Sequence, residues 1–144
     1  KRGLTINLIG ISLGNVLSIR LASDLSKGKV KNLVSIVGGG RLGFSAWGSI
    51  LTRYVARSSG CHSAEEYEDR MEEFSPLNYT EGIYPENIFA RFGTSDLLIP
   101  FNPNGQELAD ALMKVGSKRK DIKIYPYTDH CSTILLTNGS NRYF

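Results

Sequence analysis

The sequence predicts an α/β fold in which a mainly parallel sheet of about four strands is joined by crossover helices and carries a helical, lid-like insertion. Apolar runs of strand length alternate along the chain with segments whose apolar residues recur at helical spacing. Strands that alternate with helices pair in parallel through right-handed crossovers. The strand-like runs are residues 5–11, 32–37, 88–92 and 122–127.

Two helices are indicated between these runs. Leucines recur at every fourth position from Leu13 to Leu25, so we expect a helix with a single apolar stripe after the first run. A similar stripe around Leu112 precedes the fourth run. Asn102 and Pro103 are residue types that begin helices, and we expect them to start this one.

Residues 41–84 form a long insertion, rich in aromatic residues, between the second and third runs. Its Ser63-Ala64-Glu65-Glu66 segment matches a capping box, which predicts a helix from residue 64 to about residue 74. A second short amphipathic helix is expected upstream. A long insertion of this kind is more often a cover over a site than a structureless loop. The 144 residues suffice for one core, so we expect a single domain over residues 1–144 with a lid-like insertion at 41–84.

The composition excludes several classes of function. A net charge of +3 is too small to indicate a nucleic-acid partner, and no apolar run approaches the roughly 20 residues of a membrane span. The chain opens at Lys1 without a signal peptide, which leaves open that its natural start is missing. Cys61 and Cys131 have neither metal-ligand spacing nor a disulfide framework. We therefore expect reduced thiols in a cytoplasmic protein with no metal and no other cofactor.

The segment Gly10-Ile11-Ser12-Leu13-Gly14 follows the first strand directly. A serine with glycine two residues away on each side, between a strand and a helix, is typical of a nucleophile held on a sharp turn. Such a turn strains the serine backbone, and we expect side chains at Gly10 or Gly14 to collide with the neighbouring strand and helix. Because glycine and serine are common residues, the pattern alone is a weak indication.

Two further residues make this pattern more specific. A serine hydroxyl needs a base within hydrogen-bond reach, and that base needs an orienting carboxylate. His130 follows the fourth strand and Asp96 follows the third, at the sheet edge where parallel sheets place site residues. The alternatives are a surface histidine and an aspartate that stabilises its own turn. For His62 we expect a surface position, and for Asp129 a side chain that points away from His130.

With these motifs the chain resembles the C-terminal half of an α/β-hydrolase over nearly its whole length. The elbow, the Gly-Thr-Ser-Asp-x-x-Ile-Pro segment at 93–100 and the late Asp-His pair follow that family's order of serine, acid and histidine. The resemblance implies that Ser12 is the nucleophile, Asp96 the acid and His130 the base. It also implies that the backbone N–H of Leu13 is one oxyanion donor, and that the strands and the second donor loop before the elbow are absent.

A competing motif lies at residues 38–43, where Gly-Gly-Gly-Arg-Leu-Gly fits the Gly-x-Gly-x-x-Gly pattern of a dinucleotide phosphate loop. That function requires an acidic residue at the end of a strand about twenty positions further on. The sequence there is Ser-Ser-Gly-Cys at 58–61, without a strand pattern. We favour a flexible lid hinge for these glycines.

The sequence thus predicts a serine hydrolase that cleaves an ester, thioester or amide bond of a small-molecule or lipid-like acyl substrate through an acyl-enzyme. Phe44, Trp47 and Tyr54 are candidates for an apolar acyl-binding wall, with core packing as the equal alternative. The alternative function is a truncated, non-catalytic module that assembles. Strands laid down in sequence order leave residues 5–11 at an edge, where we expect a second copy or a complementing chain to pair.

Overall fold

The fold is built on one sheet of four parallel strands in the order β1-β2-β3-β4, in a computed structural model that describes residues 4–138. Each strand pairs with the next along the chain, as the sequence predicts. The predicted α/β class is therefore confirmed, and β1 lies at one edge of the sheet. The strands are β1 (Ile6–Ile11), β2 (Val30–Ile36), β3 (Asn87–Gly93) and β4 (Arg119–Tyr125).

Helices occupy the connections between the strands and follow the last one. Asn102 has the extended backbone of an N-cap residue, with φ −100° and ψ 127°, and the residues from Pro103 to Gly105 are helical and lead into α5, whose regular hydrogen bonding begins at Gln106. The prediction that Asn102 and Pro103 start this helix agrees with this backbone geometry, although no side-chain capping bond is present at the start. The α-helices are α1 (Gly14–Asp24), α2 (Leu42–Gly48), α3 (Arg53–Arg57), α4 (Ala64–Met71), α5 (Gln106–Lys114) and α6 (His130–Asn138).

The two faces of the sheet are covered unequally. Helices α1 and α5 pack on one face together with the 3-10 turn Pro76–Gly82 and form the larger core. Helix α6 packs on the other face, where the apolar cluster is much smaller. This arrangement follows from the strand order, because successive right-handed crossovers fall on the same side. The larger core includes Ile19, Leu33, Ile88, Phe92, Leu108 and Leu112, and the smaller one Val34, Ile36, Val37 and Phe89.

Helix α1 does not bury its leucine stripe as predicted. Leu17 is 74% exposed and Leu21 is 46% exposed, whereas Leu25 packs against the core. The buried face of the helix begins instead with Asn15 and Ser18. Beside the elbow the helix lies close to β1, since a Cβ at Gly10 would lie 2.2 Å from Ser18 Oγ, and this approach turns the face with Asn15, Ser18, Ile19 and Ala22 toward the sheet.

The insertion at 41–84 consists of three short α-helices and two 3-10 turns packed beside the sheet. The Ser63 half of the predicted capping box is present, because Ser63 Oγ accepts from the Glu66 N–H at 3.1 Å, whereas Glu66 Oε2 accepts at 2.8 Å from the N–H of His62, one residue before the cap. Helix α4 ends at Met71 and a 3-10 turn continues to Phe74, as expected. The single helix predicted upstream is divided into α2 and α3. That the insertion serves as a lid stays a prediction.

A buried carboxylate ties α4 to α2 within this insertion. Glu68 Oε2 accepts hydrogen bonds from the backbone N–H groups of Gly43 at 2.7 Å and Phe44 at 3.2 Å. Its Oε1 accepts from Ser75 Oγ at 2.6 Å. The Ser75 hydroxyl in turn accepts from the Leu42 N–H at 2.9 Å. The first turn of α2 is therefore fixed by one side chain of α4.

No helix within residues 4–138 has the length and apolar character that crossing a membrane requires.

Candidate active site

Ser12 lies on a strained turn at the C-terminal end of β1. Its φ is +54°, in the left-handed region that residues other than glycine rarely adopt. The Ser12 N–H donates to the carbonyl oxygen of Ile36 at 2.9 Å, and the Ser12 carbonyl accepts from the Asn15 N–H at 3.0 Å. The serine is thus fixed between the ends of β1 and β2. The predicted backbone strain is present, and the half-buried side chain lies in the wall of a cavity.

The two glycines of the elbow differ in their surroundings. A Cβ added at Gly10 would lie 2.2 Å from Ser18 Oγ and 2.8 Å from Asn15 Cα. Both distances are steric clashes, so any side chain here would require a shift of the helix backbone. A Cβ added at Gly14 would meet nothing within 4 Å. The expected collision therefore occurs at Gly10, but the expectation for Gly14 is wrong. Gly14 lies at the first position of α1 and faces open space.

Asp96 and His130 form a buried pair. Asp96 Oδ2 lies 2.6 Å from His130 Nδ1, and both side chains are less than a tenth exposed. Asp96 Oδ1 accepts from the backbone N–H groups of Leu98 and Ile99, each at 2.8 Å. Asp96 therefore stabilises its own turn and also orients the histidine, so both sequence-based alternatives hold. An Nδ1–H directed at a carboxylate leaves Nε2 with the lone pair that a general base needs.

Two further side chains that sequence reasoning set apart lie away from this pair. Asp129 Oδ1 accepts from the Ser132 N–H at 2.8 Å, and its Oδ2 accepts from Ser132 Oγ at 2.9 Å, so it caps α6. These two bonds, the backbone one first, lower the pKa of the Asp129 carboxyl below its ordinary value. His62 is exposed at the start of α4. Asp96 rather than Asp129 is therefore the carboxylate that meets His130.

The loops that present Asp96 and His130 are joined by hydrogen bonds. The Ser95 N–H donates to the Thr128 carbonyl at 3.1 Å, and Thr94 Oγ1 accepts from the Tyr127 N–H at 2.9 Å. Tyr127 has a φ of +56°, which marks the sharp turn between β4 and α6. A Cβ at Gly93 would lie 2.3 Å from the Thr128 carbonyl oxygen, so glycine is required for this approach. The sequence analysis assigned no role to Gly93 or Thr94, although both belong to the Gly-Thr-Ser-Asp-x-x-Ile-Pro segment at 93–100.

The structure brings Asp96 and His130 into contact and places Ser12 separately. Within residues 4–138, no hydrogen bond joins the Ser12 hydroxyl to the His130 ring. Catalytic hydrogen bonds are often long or poorly aligned in unliganded sites and tighten when substrate binds. The Leu13 N–H lies at the start of α1, and it donates to no acceptor in the same described residues. A free N–H at this position is available to a developing negative charge.

A cavity of about 180 Å³ adjoins Ser12 and is largely apolar. The three aromatic residues predicted for an acyl-binding wall do not line it. The Trp47 ring lies 6.1 Å from the Tyr67 ring of α4, and Tyr54 is 82% exposed. Phe44 lies with its ring 5.7 Å from the Arg41 guanidinium. The apolar part of the lining consists of Leu13, Val16, Leu42, Ala46, Leu51, Leu98 and Ile99, with Ser45, Ser49 and Thr52 beside it.

The glycines at 38–40 serve close packing. A Cβ at Gly38 would lie 2.6 Å from Asn15 Cγ, and one at Gly39 would lie 2.3 Å from Asn104 Nδ2. Asn104 Oδ1 accepts from the Arg41 N–H at 2.7 Å. All three glycines are buried. The loop is thus held by two asparagines, and it is neither the open phosphate loop of the competing motif nor the flexible hinge that we favoured.

Residues 4–138 contain no group of three or more His, Cys, Asp or Glu side chains arranged to hold a metal ion. No protein-family model and no curated protein matches the chain. Solved structures do match it, and the three described next are longer proteins.

An acylaminoacyl peptidase of Pyrococcus horikoshii superposes with a TM-score of 0.65 at 19% identity, over 96% of this chain and 22% of that one. An esterase of Pyrococcus furiosus superposes with a TM-score of 0.62 at 21% identity, over 94% of this chain and 48% of that one. Acetyl xylan esterase 1 of a Thermoanaerobacterium species superposes with a TM-score of 0.63 at 19% identity, over 86% of this chain and 39% of that one. This chain therefore spans between about a fifth and a half of these proteins. These likenesses show that the chain has the fold of the matching part of these proteins, the α/β-hydrolase fold that the sequence resembles.

Proposed function

We propose that this chain holds the catalytic triad of a serine hydrolase that cleaves an ester, thioester or amide bond through an acyl-enzyme. The main support is the buried Asp96–His130 pair, located at the same end of the sheet as a serine in a strained left-handed turn. Strained backbone clusters at functional sites, where the surrounding structure maintains it. The similar solved structures include a peptidase and two esterases, which agrees with hydrolysis of amide or ester bonds.

In the proposed reaction, Ser12 Oγ attacks the substrate carbonyl carbon while His130 Nε2 takes the hydroxyl proton. Asp96 holds the ring and stabilises the imidazolium that forms. The tetrahedral intermediate then collapses, and the leaving group departs with the proton from His130. A water molecule repeats the sequence on the acyl-enzyme, with His130 as its base, and releases the acid and the free Ser12 hydroxyl.

The oxyanion of this intermediate would be bound by the Leu13 N–H. This group has no acceptor within residues 4–138 and lies at the N-terminus of α1, where the helix dipole favours negative charge. An oxyanion hole with one of its donors removed loses about 10²–10³-fold in turnover. We therefore expect the Leu13 N–H to be important for turnover.

The cavity beside Ser12 is our candidate for the acyl-binding pocket. Leu42 and Ala46 of α2 contribute to it, and so do Leu98 and Ile99 of the loop that holds Asp96. An apolar cavity of about 150 Å³ is large enough to bind benzene. A volume of about 180 Å³ therefore suits a short acyl chain or a small apolar side chain.

Labelling with a fluorophosphonate probe tests the proposal, because the probe reacts only with an activated serine. We expect labelling of the parent protein and none of Ser12→Ala. Ser58→Ala serves as the matched control, since Ser58 lies in the insertion and its hydroxyl bonds only to the Val55 carbonyl in the described chain. A folded parent protein, checked by circular dichroism, that takes up no label contradicts the proposal.

A second function, assembly, is favoured by the exposed apolar surface around β1. Ile6, Ile9 and Ile11 of this edge strand are 38%, 49% and 41% exposed. Leu13 and Leu17 on α1 are 64% and 74% exposed. Soluble monomers rarely expose a large contiguous apolar patch beside an unpaired strand. We propose that a second copy of this chain, or a complementing chain, pairs with the β1 edge.

Sedimentation velocity over a range of concentrations tests this second proposal. We expect a dimer at micromolar concentration, and dissociation to monomers when Ile9→Lys places a charge at the edge. Lys31→Glu, at an exposed position of the neighbouring strand β2, changes the charge without altering the edge strand and serves as the control. A stable monomer across the whole concentration range contradicts pairing with a second copy.

A further inference from the structure

We propose that Asn15 is a positioning residue that sets the direction of the Leu13 N–H by fixing the peptide group between Ser12 and Leu13. This inference rests on the proposed function and extends it to a residue outside the triad. Asn15 lies in the first turn of α1, three positions after the nucleophile, and it is 1% exposed.

The side-chain amide of Asn15 bridges the elbow and the neighbouring strand. Its Nδ2 donates to the Ser12 carbonyl oxygen at 3.1 Å and to the Ile36 carbonyl oxygen at 3.0 Å. The Ile36 carbonyl also accepts from the Ser12 N–H at 2.9 Å. Both peptide groups that flank Ser12 are therefore tied to the end of β2.

The geometry of a peptide group connects this bridge to the oxyanion donor. The Ser12 carbonyl and the Leu13 N–H belong to one planar trans peptide, so they point in opposite directions. The Ser12 carbonyl accepts from both the Asn15 side chain and the Asn15 N–H. Bonds that hold this oxygen toward the helix therefore hold the Leu13 N–H toward the opposite side.

An asparagine is suited to this task by its donor count. Its NH₂ group supplies two hydrogens, and here they meet two carbonyl oxygens. Its Oδ1 is buried and has no hydrogen-bond partner within residues 4–138. An unpaired buried acceptor is unfavourable for stability, so the residue is not explained by stability alone. Gly38 leaves the space that the side chain fills, since a Cβ there would lie 2.6 Å from Asn15 Cγ.

Two substitutions of Asn15 test the inference. Asn15→Asp keeps the shape but places a carboxylate oxygen against two carbonyl oxygens, and Asn15→Ser is a milder change that removes the bridge to β2. For hydrolysis of a p-nitrophenyl ester, we expect kcat to fall about tenfold to a hundredfold, because a misdirected oxyanion donor acts in the transition state. KM should stay within twofold.

Asn104→Ala is the matched control. Asn104 is also a buried asparagine that packs against a glycine of the same loop, but it bonds to Arg41 and Ser45 rather than to the elbow. We expect this variant to lose stability in urea unfolding with kcat within threefold of the parent. Folded Asn15 variants that keep the parent's kcat overturn the inference.

Amide hydrogen exchange gives a readout that does not need catalysis. In Asn15→Ser we expect the Ser12 and Asn15 amides to exchange at least tenfold faster, while amides in β3 keep their protection. Unchanged exchange at the elbow overturns the inference whatever the activity. If the elbow amides respond but the parent protein takes up no fluorophosphonate, the elbow bridge stands and the proposed function fails.

Discussion

Asp96 and His130 are 34 positions apart in the sequence, yet Oδ2 of the aspartate lies 2.6 Å from Nδ1 of the histidine. Two loops at the ends of neighbouring parallel strands produce this contact, and hydrogen bonds between Ser95 and Thr128 and between Thr94 and Tyr127 hold the loops together. The Asp96–His130 contact therefore depends on the two loops that follow β3 and β4.

Replacement of the acid is the first prediction. In Asp96→Asn an amide takes the place of the carboxylate that orients the ring and stabilises its charged form. We expect kcat for ester hydrolysis to fall by about 10³–10⁴-fold, with the protein still folded. Asp129→Asn is the control, because Asp129 bonds to Ser132 and not to the ring, and its kcat should stay within threefold. A loss of similar size in both variants would contradict the assignment of Asp96.

The pH dependence of stability should show the helix cap at Asp129. Hydrogen bonds from Ser132 lower the pKa of this carboxyl in the folded protein, so the folded state binds its proton less readily than the unfolded state. Its contribution is therefore complete above the ordinary aspartate pKa of about 3.9 and disappears as the pH falls through the lower folded value. Urea unfolding should show Asp129→Asn less stable than the parent at pH 7, with the difference shrinking below about pH 4. A difference that is constant with pH would contradict this linkage.

Filling the cavity should change the preferred acyl chain. Ala46→Leu adds three carbon atoms to a wall of the cavity beside Ser12. We expect the optimum in a series of p-nitrophenyl esters to move toward shorter acyl chains, measured as kcat/KM. Trp47→Ala is the comparison, since Trp47 packs on Tyr67 and lies outside the lining. Trp47→Ala should lower the melting temperature and leave the preferred acyl-chain length unchanged. A shift of the preferred length in Trp47→Ala would indicate that Trp47 contacts the acyl chain.

The buried carboxylate of Glu68 should be important for stability. Glu68→Ala leaves the N–H groups of Gly43 and Phe44 and the Ser75 hydroxyl without their acceptor. We expect the free energy of unfolding in urea to fall by about 2–4 kcal/mol, because buried donors that lose a charged acceptor bear the cost of desolvation. Asp69→Ala, at an exposed position of the same helix, should change it by less than about 0.5 kcal/mol. Equal effects would show that α2 does not depend on Glu68.

The two elbow glycines should respond in opposite ways to alanine. Gly10→Ala forces a Cβ against Ser18 Oγ and the Asn15 backbone, and we expect a loss of about 1–3 kcal/mol of unfolding free energy. Gly14→Ala meets no atom within 4 Å and lies in a helix, so we expect a gain of about 0.5–1 kcal/mol. Thermal unfolding of both variants measures the difference. A destabilised Gly14→Ala would indicate that another chain occupies the space beside α1.

The sequence was sufficient to predict the sheet and the contact between Asp96 and His130 because their patterns are local. Ser12 follows its apolar run directly, Asp96 and His130 lie in the loops shortly after theirs, and parallel strands bring such positions to one edge. The lining of the cavity was not predictable in the same way. Whether Trp47 or Ala46 faces Ser12 depends on how α2 is rotated, and that rotation is set by its contacts with α4 and Glu68.

The leucine stripe of α1 shows the same limit. Its spacing correctly predicts a helix, but spacing alone does not say which face is buried. The side facing the sheet is decided by the glycine at position 10, which lets Ser18 and Asn15 approach the strand. The glycines at 38–40 are a related case, because their need for Asn15 and Asn104 as neighbours appears only in three dimensions.

The strand order has a consequence for cooperativity. Ser12 follows β1 and His130 follows β4, which are the opposite edges of the sheet. The Asp96–His130 contact therefore depends on β3 and β4, whereas the position of Ser12 relative to this pair depends on all four strands. If β1 alone detached from the sheet, the Asp96–His130 contact would stay intact and Ser12 would move away from this end of the sheet. We therefore expect the fraction of molecules with Ser12 in place to depend on how firmly the edge strand β1 pairs with β2.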